Sequence, residues 1–240
     1  MTVLERTSPL VKLGVAVLWL IVLATTTEAR PGAVLTLVAL LALGALGRVS
    51  GPRLAGALVP IVLAAGGIAL ANLLFSRSNP DPGATELLAI GPLRLTGEAA
   101  LAAAGLFARV MAIATVGLAF VLTTTPTRLT DALVQQARVP ARFAYGALAA
   151  AQAVPRFASD LATLRTQRRL RGLPPWHPWI VVGLLVRAIR HADQLAGAMD
   201  ARGFGSGPRT TYRPLTWTSL DAVVGGLGVA AAVVALILAR

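Results

Sequence analysis

The sequence predicts an all-α integral membrane protein with about five transmembrane helices and a cytoplasmic-side domain of amphipathic helices. Three observations predict it. Hydrophobic residues make up 56% of the 240 and charged residues only 13%, about half the charged fraction of a soluble domain. The apolar residues gather in blocks, as membrane spans require. And 13 of the 22 basic residues fall between residues 125 and 215, between the last two apolar blocks, which is the signature of a segment held on the cytoplasmic side.

The first block runs from Leu10 to Thr27. It is long for a signal-peptide core, "TTTEAR" is a poor cleavage site, and more membrane follows, so it reads as an uncleaved span. The second, Gly32 to Leu46, follows Pro31, a residue that costs nothing where a helix begins. The third, Leu54 to Phe75, contains Pro60 and Gly66-Gly67, which neighbouring helices can accommodate. Residues 76–97 read as a polar, turn-rich loop, with Thr96 and Glu98 placed to start the next helix. Block four, Ala99 to Thr124, carries Arg109 in mid-span. A charge there must face protein or water. Two readings stand: a structural arginine paired within the bundle, or a transport residue.

From Thr125 the pattern is amphipathic. A short helix follows Pro126 and ends before Pro140, and a longer one spans 141–172 with Pro155 inside. A third runs from Trp179 to Arg202 with Val181, Leu184, Leu185, Ala188, Ala192, Leu195 and Met199 on one stripe and Arg187, Arg190, Asp193 and Asp200 off it. Trp217 to Leu238 is the last span. The domains are therefore 1–124, 125–215 and 216–240. An N-terminus inside puts 17 basic residues on the cytoplasmic side and four (Arg30, Arg77, Arg94, Arg240) outside, so the C-terminus is expected outside.

The same composition excludes much chemistry. Without cysteine there is no disulfide, thiolate metal site or cysteine nucleophile. The single lysine, Lys12, lies at the membrane edge, so the chain holds no phosphate-binding Gly-rich loop ending in Lys-Ser or Lys-Thr. His177 and His191 stand 14 residues apart, too far to share a helix face as a metal pair. Asp160, Asp193 and Asp200 look isolated. Base-stacking aromatics are largely missing from the basic region, so nucleic acid is not the expected partner. No catalytic residue, metal site or cofactor site is expected. A lipid-modifying membrane enzyme or a self-contained permease is the competing class.

One feature recurs. The second amphipathic helix finishes "TQRRLRGLPP" with Arg171-Gly172, and the third finishes "AMDARGFGSG" with Ala201-Arg202-Gly203. Each can be a helix stop, with glycine in the left-handed conformation and arginine at the negative helix end. Each can also present an arginine for bidentate pairing with a carboxylate of another protein.

In order along the chain, "SPLVKL", "GPLRLTGEAAL", "LTTTPTRLTDAL", "RFASDLATLRTQRRLRG" and "RHADQLAGAMDARGFGSGPRTTYR" resemble the transmembrane T components of energy-coupling factor transporters, the EcfT/CbiQ family. The resemblance implies a bacterial or archaeal membrane scaffold that joins two cytoplasmic ABC-type ATPase subunits to a small substrate-binding membrane subunit. It makes residues 125–215 a coupling domain. Arg202, flanked by Ala201 and Gly203, is implied as one ATPase-docking arginine. Arg171, beside Gly172, is implied as the other, with Leu170 departing from the family's usual Ala. ATP would be bound by the partners. The apolar faces of 141–172 and 179–202 would hold the substrate-binding subunit, whose cargo in such systems is a vitamin, a precursor, or cobalt or nickel.

Overall fold

The computed structural model describes residues 3–26, 28–47, 50–76, 79, 83, 85–90, 93–205, 207 and 211–239. Thr27, where the first block was expected to end, and Arg48, Arg77, Arg209 and Arg240, which enter the charge count, lie outside them. In chain order the elements are α1 (Val3–Arg6), α2 (Pro9–Thr25), α3 (Ala29–Leu41) continued by a π-helical turn (Ala42–Leu46), α4 (Gly51–Leu74), β1 (Glu86–Ile90), β2 (Leu93–Thr96), α5 (Gly97–Thr123), α6 (Pro126–Gln135), α7 (Ala141–Leu170), α8 (Trp179–Ala201) and α9 (Ser219–Leu238). They form two compact units: one of residues 1–125 and 216–240, the other of residues 126–215.

Among the described residues of the first unit, four helices are long and apolar enough to cross a membrane: Ala29–Leu46, α4, α5 and α9. The fifth, α2, is equally apolar with 17 residues, at the short end of the ~17–25 that span a bilayer. Its start is set by Ser8, whose hydroxyl accepts the Leu10 N–H, and by Pro9 in the first turn. α3 begins three residues before the expected Gly32; Pro31 sits in its first turn, where backbone N–H groups have no intrahelical partner to lose.

The core joins α2, α3, α5 and α9 through Trp19, Leu23, Leu35, Ala112, Val116 and Ala235. Water does not drive packing inside a bilayer, so close contact must come from small residues. A Cβ on Gly228 would meet the Val15 methyls at 2.6 Å, and the Trp19 indole donates to the Gly228 carbonyl at 2.8 Å. Likewise a Cβ on Gly32 would lie 2.7 Å from the Ala108 carbonyl carbon. α4 packs chiefly on α5 and buries only Ala65.

Hydrogen bonds orient the bundle. The Asp221 carboxylate, part of the α9 capping box with Thr218, accepts the Ser8 N–H at 2.5 Å. Lys12 Nζ donates to the Thr123 carbonyl at 2.8 Å and to the Thr124 hydroxyl at 3.2 Å, a cation at the negative end of α5. The starts of α2 and α9 and the end of α5 therefore share one face.

Residues 76–97 are not wholly loop. Glu86–Ile90 and Leu93–Thr96 pair antiparallel, with Leu88 opposite Leu95, Ile90 opposite Leu93, and a bulge between Glu86 and Leu88. Glu86 and Arg94 form an ion pair. Asn79 secures the segment: its amide donates to the Leu73 and Leu74 carbonyls at the end of α4, and its oxygen accepts from Thr96. Thr96 in turn caps α5 through the Ala99 N–H, as its sequence position predicts.

The second unit is three helices. Tyr145 on α7 donates to Asp131 on α6 at 2.9 Å. Gln135 accepts the Leu215 N–H at 2.8 Å and donates to the Arg213 carbonyl at 3.0 Å, so the chain leaves this unit beside α6, where it entered. α7 and α8 run antiparallel: Leu164 meets Gly183, Asp160 meets Arg187 and Arg156 meets His191.

Candidate functional site: two matched helix ends

α7 and α8 terminate in the same way. The last carbonyls of a helix need donors, and here the backbone just beyond supplies them. Gly172 N–H bonds the Arg169 carbonyl at 3.0 Å and Leu173 N–H bonds the Arg168 carbonyl at 3.0 Å. At α8, Gly203 bonds Asp200 at 2.8 Å and Phe204 bonds Met199 at 3.0 Å. This double closure requires a left-handed residue just past the cap, and Gly172 and Gly203 take φ of 70° and 68°. Arg171 and Arg202 occupy the cap positions with φ/ψ of −92°/9° and −90°/9°. Both arginines are exposed, as are Leu170 and Ala201, while Gly203 is half-buried. A substitution at either glycine would strain the turn, which fixes the direction in which the preceding arginine leaves the helix.

The two ends are matched but not adjacent. Arg171 lies 11 residues beyond Asp160, and Arg202 lies 15 beyond Arg187. At 1.5 Å per residue the two arginines stand roughly 16 Å and 22 Å from that ion pair, on opposite sides of it. The unit thus carries two separate positive tips.

Sequence reasoning missed what steadies them. Arg165 stacks over the Trp176 ring at 5.7 Å, and Arg168 Nε donates to the Pro174 carbonyl at 2.9 Å. These two arginines tie the α7–α8 connection back onto α7. The cluster "RTQRRLRG" was visible as charge, but its division of labour depends on the fold of 171–178. His177 accepts the Trp179 N–H at 3.3 Å at the start of α8, and His191 lies 3.0 Å from Arg156. Burial pushes the Tyr145 hydroxyl above its ordinary pKa, and the Asp131 carboxylate adds to the shift.

The packed face of α8 also differs from the expected stripe. Gly183, Arg187 and His191 meet α7, whereas Val181, Leu185 and Leu195 of the stripe are exposed. Asp160, which looks isolated in sequence, pairs with Arg187 at 3.0 Å. A mixed polar seam joins α7 to α8, and the apolar stripe stays open.

Arg109 is half-buried on α5, directly after Ala108, whose backbone faces Gly32. It therefore stands level with the first turn of α3, roughly 21 Å along α5 from Thr123. It is far from the Lys12 face of the bundle.

These features define a class: a multi-pass membrane protein, helical but for one short hairpin, with a three-helix unit inserted before its last span. The chain belongs to the CbiQ family, described as cobalt transport proteins, which matches residues 1–212, and so is a membrane component of a transporter. It is similar to the energy-coupling factor transporter transmembrane protein EcfT of Bacillus subtilis (strain 168), 38% identical over 66 residues, 27% of this chain and 23% of that protein. It is also similar to EcfT of Bacillus selenitireducens, 43% identical over 58 residues, 24% of this chain and 20% of that protein. The matched stretches span less than a quarter of either relative.

Proposed function

We propose that this chain is the non-catalytic energy-coupling scaffold of an importer of the energy-coupling factor type. Arg171 and Arg202 dock on two cytoplasmic ABC-type ATPase subunits, one arginine to each, and the partners bind the ATP. The observation that carries this reading is the pair of arginines held at identical cap geometry on opposite ends of the α7–α8 hairpin. Two ATPases related by symmetry need two like contacts set well apart, and a guanidinium is suited to bidentate pairing with a carboxylate. Rearrangement of the ATPases on nucleotide turnover then moves the two helix tips. The open apolar stripe of α8 holds a small substrate-binding membrane subunit, whose cargo is a vitamin, a precursor, or cobalt or nickel. The N-terminus lies inside the cell, supported by the basic bias and by the common face of the α2 start, the α5 end and the α9 start.

The test is the double substitution Arg171→Glu with Arg202→Glu. Reversing a hydrogen-bonded interfacial charge costs about 2–5 kcal/mol, so ATPase co-purification falls at least about a hundredfold and uptake is lost. Unchanged assembly and transport would sink the proposal.

A further inference from the structure

The helices of the membrane unit do not close completely. α2, α3 with its π-helical turn, α5 and α9 surround an apolar cavity of about 520 Å³. Small side chains make the hollow: Ala39, Ala42, Ala119, Gly228 and Ala231 line it, and Trp19 forms part of one wall. The π-helical turn contributes Ala42, Ala45 and Leu46, and such turns widen a helix locally.

Size and chemistry select the occupant. Along α9 the lining runs from Val224 to Val234, about 15 Å, which is half of a ~30 Å hydrocarbon core. The feature is open along one side, and its apolar walls offer water no set of partners. An acyl chain of one leaflet matches the depth and is abundant in the surroundings. Among the described residues, Lys12 is the only charged one in the lining, held at the end of α5 by its bonds to Thr123 and Thr124. Arg6 is exposed at the end of α1, just before Ser8 on the same face. The cation thus marks the headgroup end.

We propose that this cavity binds one acyl chain of an anionic phospholipid from the leaflet on the Lys12 side, with the lipid phosphate attracted to the Lys12 ammonium. The lipid completes the packing of α2, α3, α5 and α9. It is a site separate from the two helix ends and does not depend on their role.

Trp19 lies in the wall and is 5% exposed, so it reports occupancy. In the full-length chain carrying Trp176→Phe, Trp179→Phe and Trp217→Phe it is the sole tryptophan. Brominated phosphatidylglycerol and brominated phosphatidylcholine are each titrated into vesicles of unbrominated phosphatidylcholine holding this protein. The expected result is quenching by phosphatidylglycerol at about fivefold lower lipid fraction, the preference one basic residue gives near an anionic headgroup. Ala42→Phe and Ala231→Phe, each filling the cavity, remove that quenching. Equal quenching by the two lipids overturns the proposal, as does quenching that survives both filling substitutions. If neither filled variant folds, the comparison of lipids in the unfilled chain decides alone.

Discussion

At the scale of single residues, among the described residues three helix ends use the left-handed region, and two of them have glycine there. Gly172 and Gly203 close α7 and α8, whereas α6 is followed by Arg138 at φ 56°. A side chain in that region costs about 1–2 kcal/mol. Gly172→Ala and Gly203→Ala should each lower stability by about 1 kcal/mol, and Arg138→Gly should raise it by a similar amount. Thermal unfolding of the purified chain checks this, and shifts of one sign at all three positions would contradict it. The two Arg-Gly endings were legible in sequence because a left-handed residue at a helix stop favours glycine. Their separation was not. It depends on Asp160 finding Arg187 across the antiparallel hairpin, a pairing that no local spacing announces.

Among elements, apolar length was the legible quantity, and it located the spans to within a few residues. The β1–β2 hairpin escaped because its strands are of four and five residues, set in Pro- and Gly-rich surroundings that mask the alternation in "LRLT". The seam of α8 with α7 escaped for another reason. An apolar stripe shows where a helix is to be covered, whereas the seam with α7 is built from an ion pair and an Arg–His contact. In the α2–α9 seam, contact distance sets the expectation. Gly228→Leu drives its side chain into Val15 and should cost about 1–3 kcal/mol through overpacking. Gly226→Ala meets nothing within 4 Å and should be neutral or slightly stabilising. Melting temperature and elution profile in detergent distinguish them, and equal behaviour of the two variants would refute the close-packed seam.

For the whole molecule, the absence of cysteine in the sequence makes the proposed topology easy to test. Gly83→Cys, in the α4–β1 connection, should react with a membrane-impermeant maleimide on intact cells. Tyr212→Cys, at a position 92% exposed, should react only after permeabilisation. The opposite pattern would reverse the orientation. The basic bias predicts this orientation from sequence, because charge distribution needs no contact map. What sequence could not supply is how the two connections between the units are anchored in the membrane unit. The outgoing chain leaves at Thr123, bound to Lys12, and the returning chain enters at Thr218–Asp221, bound to Ser8. Ser8 and Lys12 are one helical turn apart. Both covalent tethers of the inserted unit are therefore lashed to the same small fulcrum. The first turn of α2 thus holds the two connectors to each other within the membrane unit.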